Sequence, residues 1–379
     1  MGNFIRFILI AIPFLLSACQ NTNKTGKNEK GDTLHLDYAK NLTIVRYSNY
    51  TEVEILDPWH KGKTLHSYLL VNDANAAPAN GNGTDATVVH VPLKHSLVST
   101  SVHTALAMRL GKGDAVSAVL DGQYIISKQI KDRIKQGKIT DCGNSMAPNI
   151  EQIINLAPDA IFLSPMQNSG GYGKMENLNI PIIELADYME PTALGRAEWV
   201  KLYGLLFGAE DKAQEMFKET ESKYLQLKSL AMKAQTKPLV LMDKAENGVW
   251  LMPGGESTIS QMILDANARY IYAGDKTTGS IQKSPESAVS DGENADVWLM
   301  RYYKNDGTPL SLKELLNENK GYSFIKAFKN GNVYGCNTAT STFFEDTPFQ
   351  PELLLRDFII AIHPELHISG KMNYFVKLK

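Results

Sequence analysis

Cysteine is nearly absent: Cys19, Cys142 and Cys336 are the only three in 379 residues, with no CxxC pair and no Cys/His cluster. That scarcity gives no signature of a structural zinc. It leaves one disulfide, Cys142 with Cys336, whose existence the sequence does not decide, and two free buried thiols are expected. A surplus of either charge is also missing. The 39 Lys and Arg stand against 41 Asp and Glu, a net charge of -2, so nothing points to nucleic acid. After the first residues there is no second long apolar run that reads as a membrane span. Short catalytic signatures are missing as well. No GxSxG elbow, no P-loop and no GxGxxG stands after a strand. Gly170-Gly171 and Gly254-Gly255 are loop glycines without such a context. The eight histidines include no HExxH spacing. What remains is a globular composition, 43% apolar, long enough for two domains.

The first residues carry the clearest signal. Met1 to Arg6 are weakly basic, Phe7 to Leu16 (FILIAIPFLL) are apolar, and Ser17 and Ala18 are small. Such a run is too short to span a bilayer, which needs about 20 residues, and reads as a signal peptide over residues 1–18. Leu16-Ser17-Ala18-Cys19 is similar to the bacterial lipobox, which implies that Cys19 is acylated and anchors the chain to a membrane. Gln20 to Asp32 (QNTNKTGKNEKGD) is almost devoid of apolar side chains, and residues 19–41 are expected to form a flexible tether.

Beyond the tether the rhythm is at first strand-like. Leu42 to Tyr47 alternates, and Ser67 to Val71 and Thr87 to Val91 are β-rich runs. Between them Asn72 to Asp85 (NDANAAPANGNGTD) predicts a long hairpin tip. After Pro92 strands and helices alternate. Strands are predicted at Leu97–Ser99, Val116–Leu120, Asp159–Leu163 and Ile180–Leu185, with a helix over His103–Leu110 capped by Ser101. From Ala197 to Ala234 the apolar residues recur every three or four positions, which predicts one long amphipathic helix interrupted or kinked at Gly208. Strands then return at Leu239–Met242, Val249–Met252 and Val297–Met300. Helices are predicted over Ser257–Ala266 and Pro351–Ile362. The fold class expected is α/β: two Rossmann-like lobes with mostly parallel sheets, bridged by one long α-helix, with an extra β-hairpin region near the N-terminus. The boundaries expected are 42–195 for the first lobe, 196–236 for the linking helix and 237–379 for the second lobe.

Two blocks match each other. Asn149 to Phe162 (NIEQIINLAPDAIF) opens a helix with an acid, ends it at Ala-Pro-Asp and starts a strand; Ser284-Pro285-Glu286, a helix, Ala295-Asp296 and VWLM repeat the order. This pairing resembles the two halves of the siderophore-, haem- and vitamin B12-binding proteins of ABC importers. Ser99 to Leu120 is similar to that family's opening strand–helix–strand, Gly195 to Gly208 to the start of its linking helix, and Phe349 to Leu366 to its last helix. Together these span nearly everything after Leu93, while Leu42 to Val91 departs from the compact vitamin B12-binding form. The resemblance implies a ligand cleft between the lobes, an ABC permease and its ATPase as partners, and one docking acid on each lobe, at the positions of Glu151 and Glu286. A carboxylate at a helix N-terminus is favoured by the helix dipole and ready for an incoming Arg.

Ligands of parallel sheets bind beyond the carboxyl ends of the strands. Applied to the predicted strands, that rule nominates loops containing Ser101, His103, Met166, Tyr172 and Tyr188 in the first lobe. In the second it nominates Trp250, Met252, Arg301, Tyr302, Phe343 and Phe344. So many aromatic and Met side chains suit a large, flat, partly apolar ligand, and Arg301 suits a carboxylate or phosphate on it. His103 fits either an axial ligand of haem iron or corrinoid cobalt, or a polar residue near a helix cap. No resident metal or cofactor is expected, and the transported solute is expected to be a metal chelate. A monomer that binds without catalysis is the leading reading. An enzyme with an unfamiliar site, a manganese- or zinc-binding lipoprotein, and a surface lipoprotein paired with an outer-membrane receptor are the alternatives.

Overall fold

Alternation of side chains builds the layers. The structure, a computed structural model, describes residues 30–72, 86–167 and 171–379; Cys19 and the expected signal peptide lie outside them. Five strands form an N-terminal sheet in sequence order: β1 (Asp32–Thr33), β2 (Leu42–Arg46), β3 (Tyr50–Leu56), β4 (Thr64–Asn72) and β5 (Thr87–Val91). Ile44, Val53, Ile55, Tyr68, Leu70 and Val89 enter the first core from this sheet, as period-two strands with one buried face require. The pairs from β1 to β4 are antiparallel, but β4 and β5 run parallel. The expected hairpin across Asn72–Asp85 is therefore corrected. Parallel neighbours need a crossover of about a dozen residues, and no tight turn can join them. Residues 73–85 of that connection lie outside the described residues.

The first parallel sheet follows. Its elements are β6 (Ser96–Val98), α1 (Ser101–Arg109), β7 (Val116–Val119), α2 (Lys128–Lys135), β8 (Thr140–Asp141), a short hairpin of β9 (Gly143–Asn144) and β10 (Ala147–Pro148), α3 (Ile150–Leu156), β11 (Ala160–Leu163) and β12 (Ile182–Glu184). The order is β12-β11-β6-β7-β8, parallel throughout. Val98, Val119 and Phe162 face the core shared with the N-terminal sheet; Leu97, Ala118 and Ile161 face the core shared with Ile153 of α3. Burial on both faces explains why these strands read as short apolar runs rather than as alternating ones.

The segment expected as one helix broken or kinked at Gly208 is three helices, of which the last is the long one that bridges the lobes. It comprises α4 (Ala193–Glu198), α5 (Val200–Phe207) and α6 (Glu210–Ala231). Gly208, at φ +63°, ends α5, and α6 then packs against it. A Cβ on Gly204 would stand 2.6 Å from that of Ala213, so the close approach needs glycine there. Periodicity runs through the break because both helices bury apolar faces. The bridging is done by α6, about 33 Å long. Phe217, early in α6, belongs to the first core, while Tyr224 and Ala231 belong to the second.

The second lobe holds β13 (Leu239–Met242), β14 (Ala245–Glu246), β15 (Val249–Pro253), α7 (Thr258–Asp265), β16 (Arg269–Tyr270), β17 (Ser280–Lys283), α8 (Pro285–Asp291) and β18 (Val297–Tyr302). It continues with α9 (Leu312–Glu318), α10 (Lys326–Lys329), β19 (Val333–Asn337), α11 (Phe343–Asp346), α12 (Pro351–Ile362) and β20 (Val376–Lys377). Its main sheet is ordered β16-β13-β18-β19-β20 and is parallel except for the last pair. β15 lies instead in an antiparallel side sheet with β14 and β17. Cys142 and Cys336 are both buried free thiols, one in each lobe.

Residues 31–41, expected as part of a flexible tether, are instead packed on the protein. From Gly31 onward the chain belongs to the same compact unit as the rest. Two buried carboxylates hold it there. Glu198 accepts the backbone N–H groups of Asp37, Tyr38 and Ala39 at 3.1, 2.8 and 2.9 Å. Glu190 accepts those of Lys40 and Asn41, both at 2.9 Å, and the indole N–H of Trp199.

Candidate functional site

Three neighbouring parallel strands end at one hollow. Ser99 and Thr100 follow β6, Asp121 follows β7, and Leu163 closes β11 with Ser164 behind it. All five line a cavity of about 870 Å³, completed by residues 145–148, Ile150 and residues 171–175 with Met166. That volume suits a small-molecule site of ordinary to large size. Its wall is mainly apolar: Met146 and Met166 are exposed, and Met175, Ile150, Leu163 and Tyr172 stand behind. Methionine adapts its shape to an irregular partner. Among the described residues, all those that line this cavity belong to the first lobe. The strand ends of the second lobe form a shallower hollow of about 500 Å³ lined by Lys244, Tyr302, Tyr303, Lys304 and Glu314 among others.

The nominated residues divide sharply. Met166 and Tyr172 line the cavity. Ser101 opens α1 beside it, although the capping side chain is that of Thr100, which accepts the N–H of His103 at 3.3 Å. Tyr188 donates to the carbonyl of Pro165 at 2.5 Å and so braces the Met166 loop. His103 is corrected as a metal-ligand candidate. It is buried, with Nδ1 2.6 Å from Thr100 Oγ1 and Nε2 2.8 Å from Asp187 Oδ1, so both ring nitrogens are engaged. Asp187 is fully buried and also accepts from Arg196 Nε at 2.9 Å. Burial alone would raise its carboxyl, but His103 and Arg196 outweigh burial and hold it well below the usual range.

In the second lobe most nominations are core residues. Trp250 and Met252 are fully buried because β15 lays them on β18, where Trp250 stacks on Trp298 and donates to the carbonyl of Met242 at 3.0 Å. Tyr302 and Phe343 are buried too. Arg301 is committed to Asp243 through Nε at 2.9 Å and Nη2 at 2.5 Å, over the Phe343 ring, so it is not a free cation for a ligand. Phe344 is half exposed, but its helix α11 docks on the first lobe, where Arg109 donates to Asp346 at 3.0 Å and to Gln350 at 2.7 Å. The nominations omit Asp121, Ser145, Met146 and Lys174. Asp121 follows a predicted strand and obeys the rule that nominated Ser101; Met146 and Lys174 leave no local signal.

A profile of the periplasmic binding protein family matches residues 97–340. The chain belongs to the periplasmic binding protein family. An uncharacterized lipoprotein of Methanocaldococcus jannaschii is 26% identical over 407 residues, covering 98% of this chain and 95% of that one. A periplasmic heme-binding protein of Pseudomonas aeruginosa superposes with a TM-score of 0.58 at 15% identity, over 76% of this chain and 98% of that one. An Fe3+-hydroxamate transport protein of Saccharomonospora viridis does so at 0.56 and 17%, over 72% and 94%. These likenesses establish the fold, and the family match begins only after the N-terminal sheet.

In this periplasmic binding protein the two acids stand on equivalent helices. Glu151 is in the first turn of α3, capped by Asn149, and Glu286 in the first turn of α8, capped by Ser284; both are exposed. The matching aspartates repeat a structural role. Asp159 accepts the N–H of His95 at 3.0 Å just before β6, and Asp296 that of Leu239 at 2.8 Å in β13. Among the described residues no group of three or more His, Cys, Asp and Glu converges to hold a metal ion, and no helix is long and apolar enough to cross a membrane.

Behind the cavity wall lies a carboxyl poised near neutrality. Tyr172 donates to Glu184 Oε1 at 3.2 Å, while buried Oε2 has no partner among the described residues. Burial pushes the Glu184 carboxyl up to about 7 despite the phenol, and Asp57 adds to the rise. A carboxyl raised in the folded state holds its proton more tightly there than in the unfolded chain. Stability is therefore lost as pH climbs from about 4.5 through about 7. Glu184→Gln is expected to raise stability at about pH 8 by ~1 kcal/mol, allowing for solvent screening, and to change little at about pH 5. Melting curves at the two pH values check this, and an equal shift at both would contradict it.

Proposed function

We propose that this periplasmic binding protein is a lipid-anchored solute receptor of an ABC importer, and that it captures an iron complex, a ferric siderophore or haem. The observation that carries this reading is the large, mainly apolar cavity at the carboxyl ends of β6, β7 and β11. The solute would sit there, facing the strand ends of the second lobe, and the protein would perform no chemistry on it. Glu151 and Glu286 would then dock the loaded protein on basic residues of the permease, whose ATPase drives transport. The heme and Fe3+-hydroxamate proteins that share the fold support an iron complex. Acylation of Cys19 would hold the protein at the membrane, in keeping with the lipoprotein relative.

A thermal-shift panel on the chain from Gln20, against haem, ferric siderophores, cobalamin and cobinamide, tests the assignment. A ligand at a hundred times its dissociation constant adds about 2.7 kcal/mol of stability. A shift with an iron complex is the expected result. A shift with corrinoids alone would move the protein to the vitamin B12 branch, and none at all would overturn the reading.

A further inference from the structure

The distribution of charge around the cavity says which chelates it accepts. Among the described residues lining it the only charged side chains are Asp121 and Lys174, one of each sign. Residues 168–170, which lie outside the described residues, are Asn, Ser and Gly in the sequence. Behind the wall Glu184 adds a carboxyl next to Tyr172, and Asp187 is already balanced by Arg196 and His103. The second-lobe strand ends do not supply the missing cation. Lys244 lies 2.9 Å from Glu318 and 3.9 Å from Glu246, Lys304 lies 2.7 Å from Glu314 and 3.6 Å from Asp306, and Arg301 is held by Asp243. Among the described residues that line this hollow, two lysines, Lys244 and Lys304, face two carboxylates, Glu318 and Glu314, so both cations are already paired.

We infer that the site selects metal chelates with no net negative charge, bulky and apolar at the rim, such as ferric hydroxamates, over polyanionic catecholate or carboxylate chelates. This rests on reading the first-lobe cavity as the solute site. A trianionic complex entering it would leave water for a wall offering a single ammonium beside the carboxylate of Asp121. Burying charge without a partner is strongly unfavourable, and like charges at close range repel at reduced dielectric. An uncharged complex loses little hydration and gains contact with Met146, Met166, Ile150, Leu163 and Tyr172. Haem carries two propionates, for which the cavity supplies one lysine, and it is disfavoured on the same ground.

Equilibrium titration of the chain from Gln20, which contains the whole compact unit Gly31–Lys379, decides between these outcomes. The probes are an uncharged ferric trihydroxamate, a trianionic ferric tricatecholate of similar size, and haem, each at ~0.05 and ~0.5 M NaCl. The expected result is that the trihydroxamate binds at least a hundredfold tighter than the tricatecholate, with a dissociation constant unchanged by salt within twofold. Tighter binding of the tricatecholate or of haem, weakening with salt, would overturn the charge selection and leave the iron-complex function standing. Failure of all three to bind would overturn both.

Discussion

Replacing Glu151 and Glu286 together by arginine is expected to lower solute uptake by at least a hundredfold while leaving the dissociation constant of the isolated protein within twofold. Both acids are exposed and sit in first helical turns, one on each lobe. Neither lines the cavity. A cation at a helix N-terminus is unfavourable by about 0.3–1 kcal/mol, too little to unfold a domain. An interface that places basic permease residues against these two sites would instead meet like charge at both ends. Each single reversal is expected to leave partial uptake, because the other lobe still docks. Uptake assays in cells, beside ligand titration of the purified variant, read the two quantities separately. Unchanged uptake would favour a surface lipoprotein that pairs with a receptor, and weakened ligand affinity would mean that the acids serve the cavity.

Glu198→Ala is expected to cost about 3–5 kcal/mol of stability, the loss typical of breaking a buried ion pair from one side. Its carboxylate is fully buried and accepts three backbone N–H groups as well as the ammonium of Lys201 at 2.6 Å. Truncation leaves Lys201, itself buried, over the Phe217 ring with no counter-charge from Glu198. It also leaves the amides of Asp37 to Ala39 unpaired, each a further penalty. Glu198→Gln should fall between the two, since an amide oxygen still accepts but brings no charge. Urea unfolding measures the loss, and limited proteolysis should show cleavage between residues 31 and 41 only in the variants. A loss below about 1 kcal/mol would mean that solvent replaces these bonds without penalty. The same contact holds Asp37 to Ala39 against α4, beside the helices that join the lobes.

Much of the fold was legible because burial imposes a period. Strands buried on both faces appear as short apolar runs, which placed β6, β7, β11, β13 and β18 within a residue or two. The matched blocks around Glu151 and Glu286 were legible because a cap, an acid and a strand-starting Asp are local features. Direction of pairing was not. Nothing in Thr87 to Val91 says that it runs parallel to β4. Trp250 and Met252 misled for a related reason. An apolar strand followed by Gly-Gly reads alike whether it ends at a cleft or lies in a side sheet, and only the ladder with β17 decides.

The sequence by itself determined the α/β class and the main alternation of strands and helices, which rest on periodicity and caps within a few residues. The family was legible only through the resemblance of the matched blocks around Glu151 and Glu286. Tertiary structure alone decided which charged side chains are free. His103 and Arg301 look available in sequence, and each is taken by an aspartate far away along the chain, Asp187 and Asp243. The cavity follows the same rule. Its thioethers, its single lysine and its aspartate come from separate loops that only the parallel order β11-β6-β7 brings to one edge.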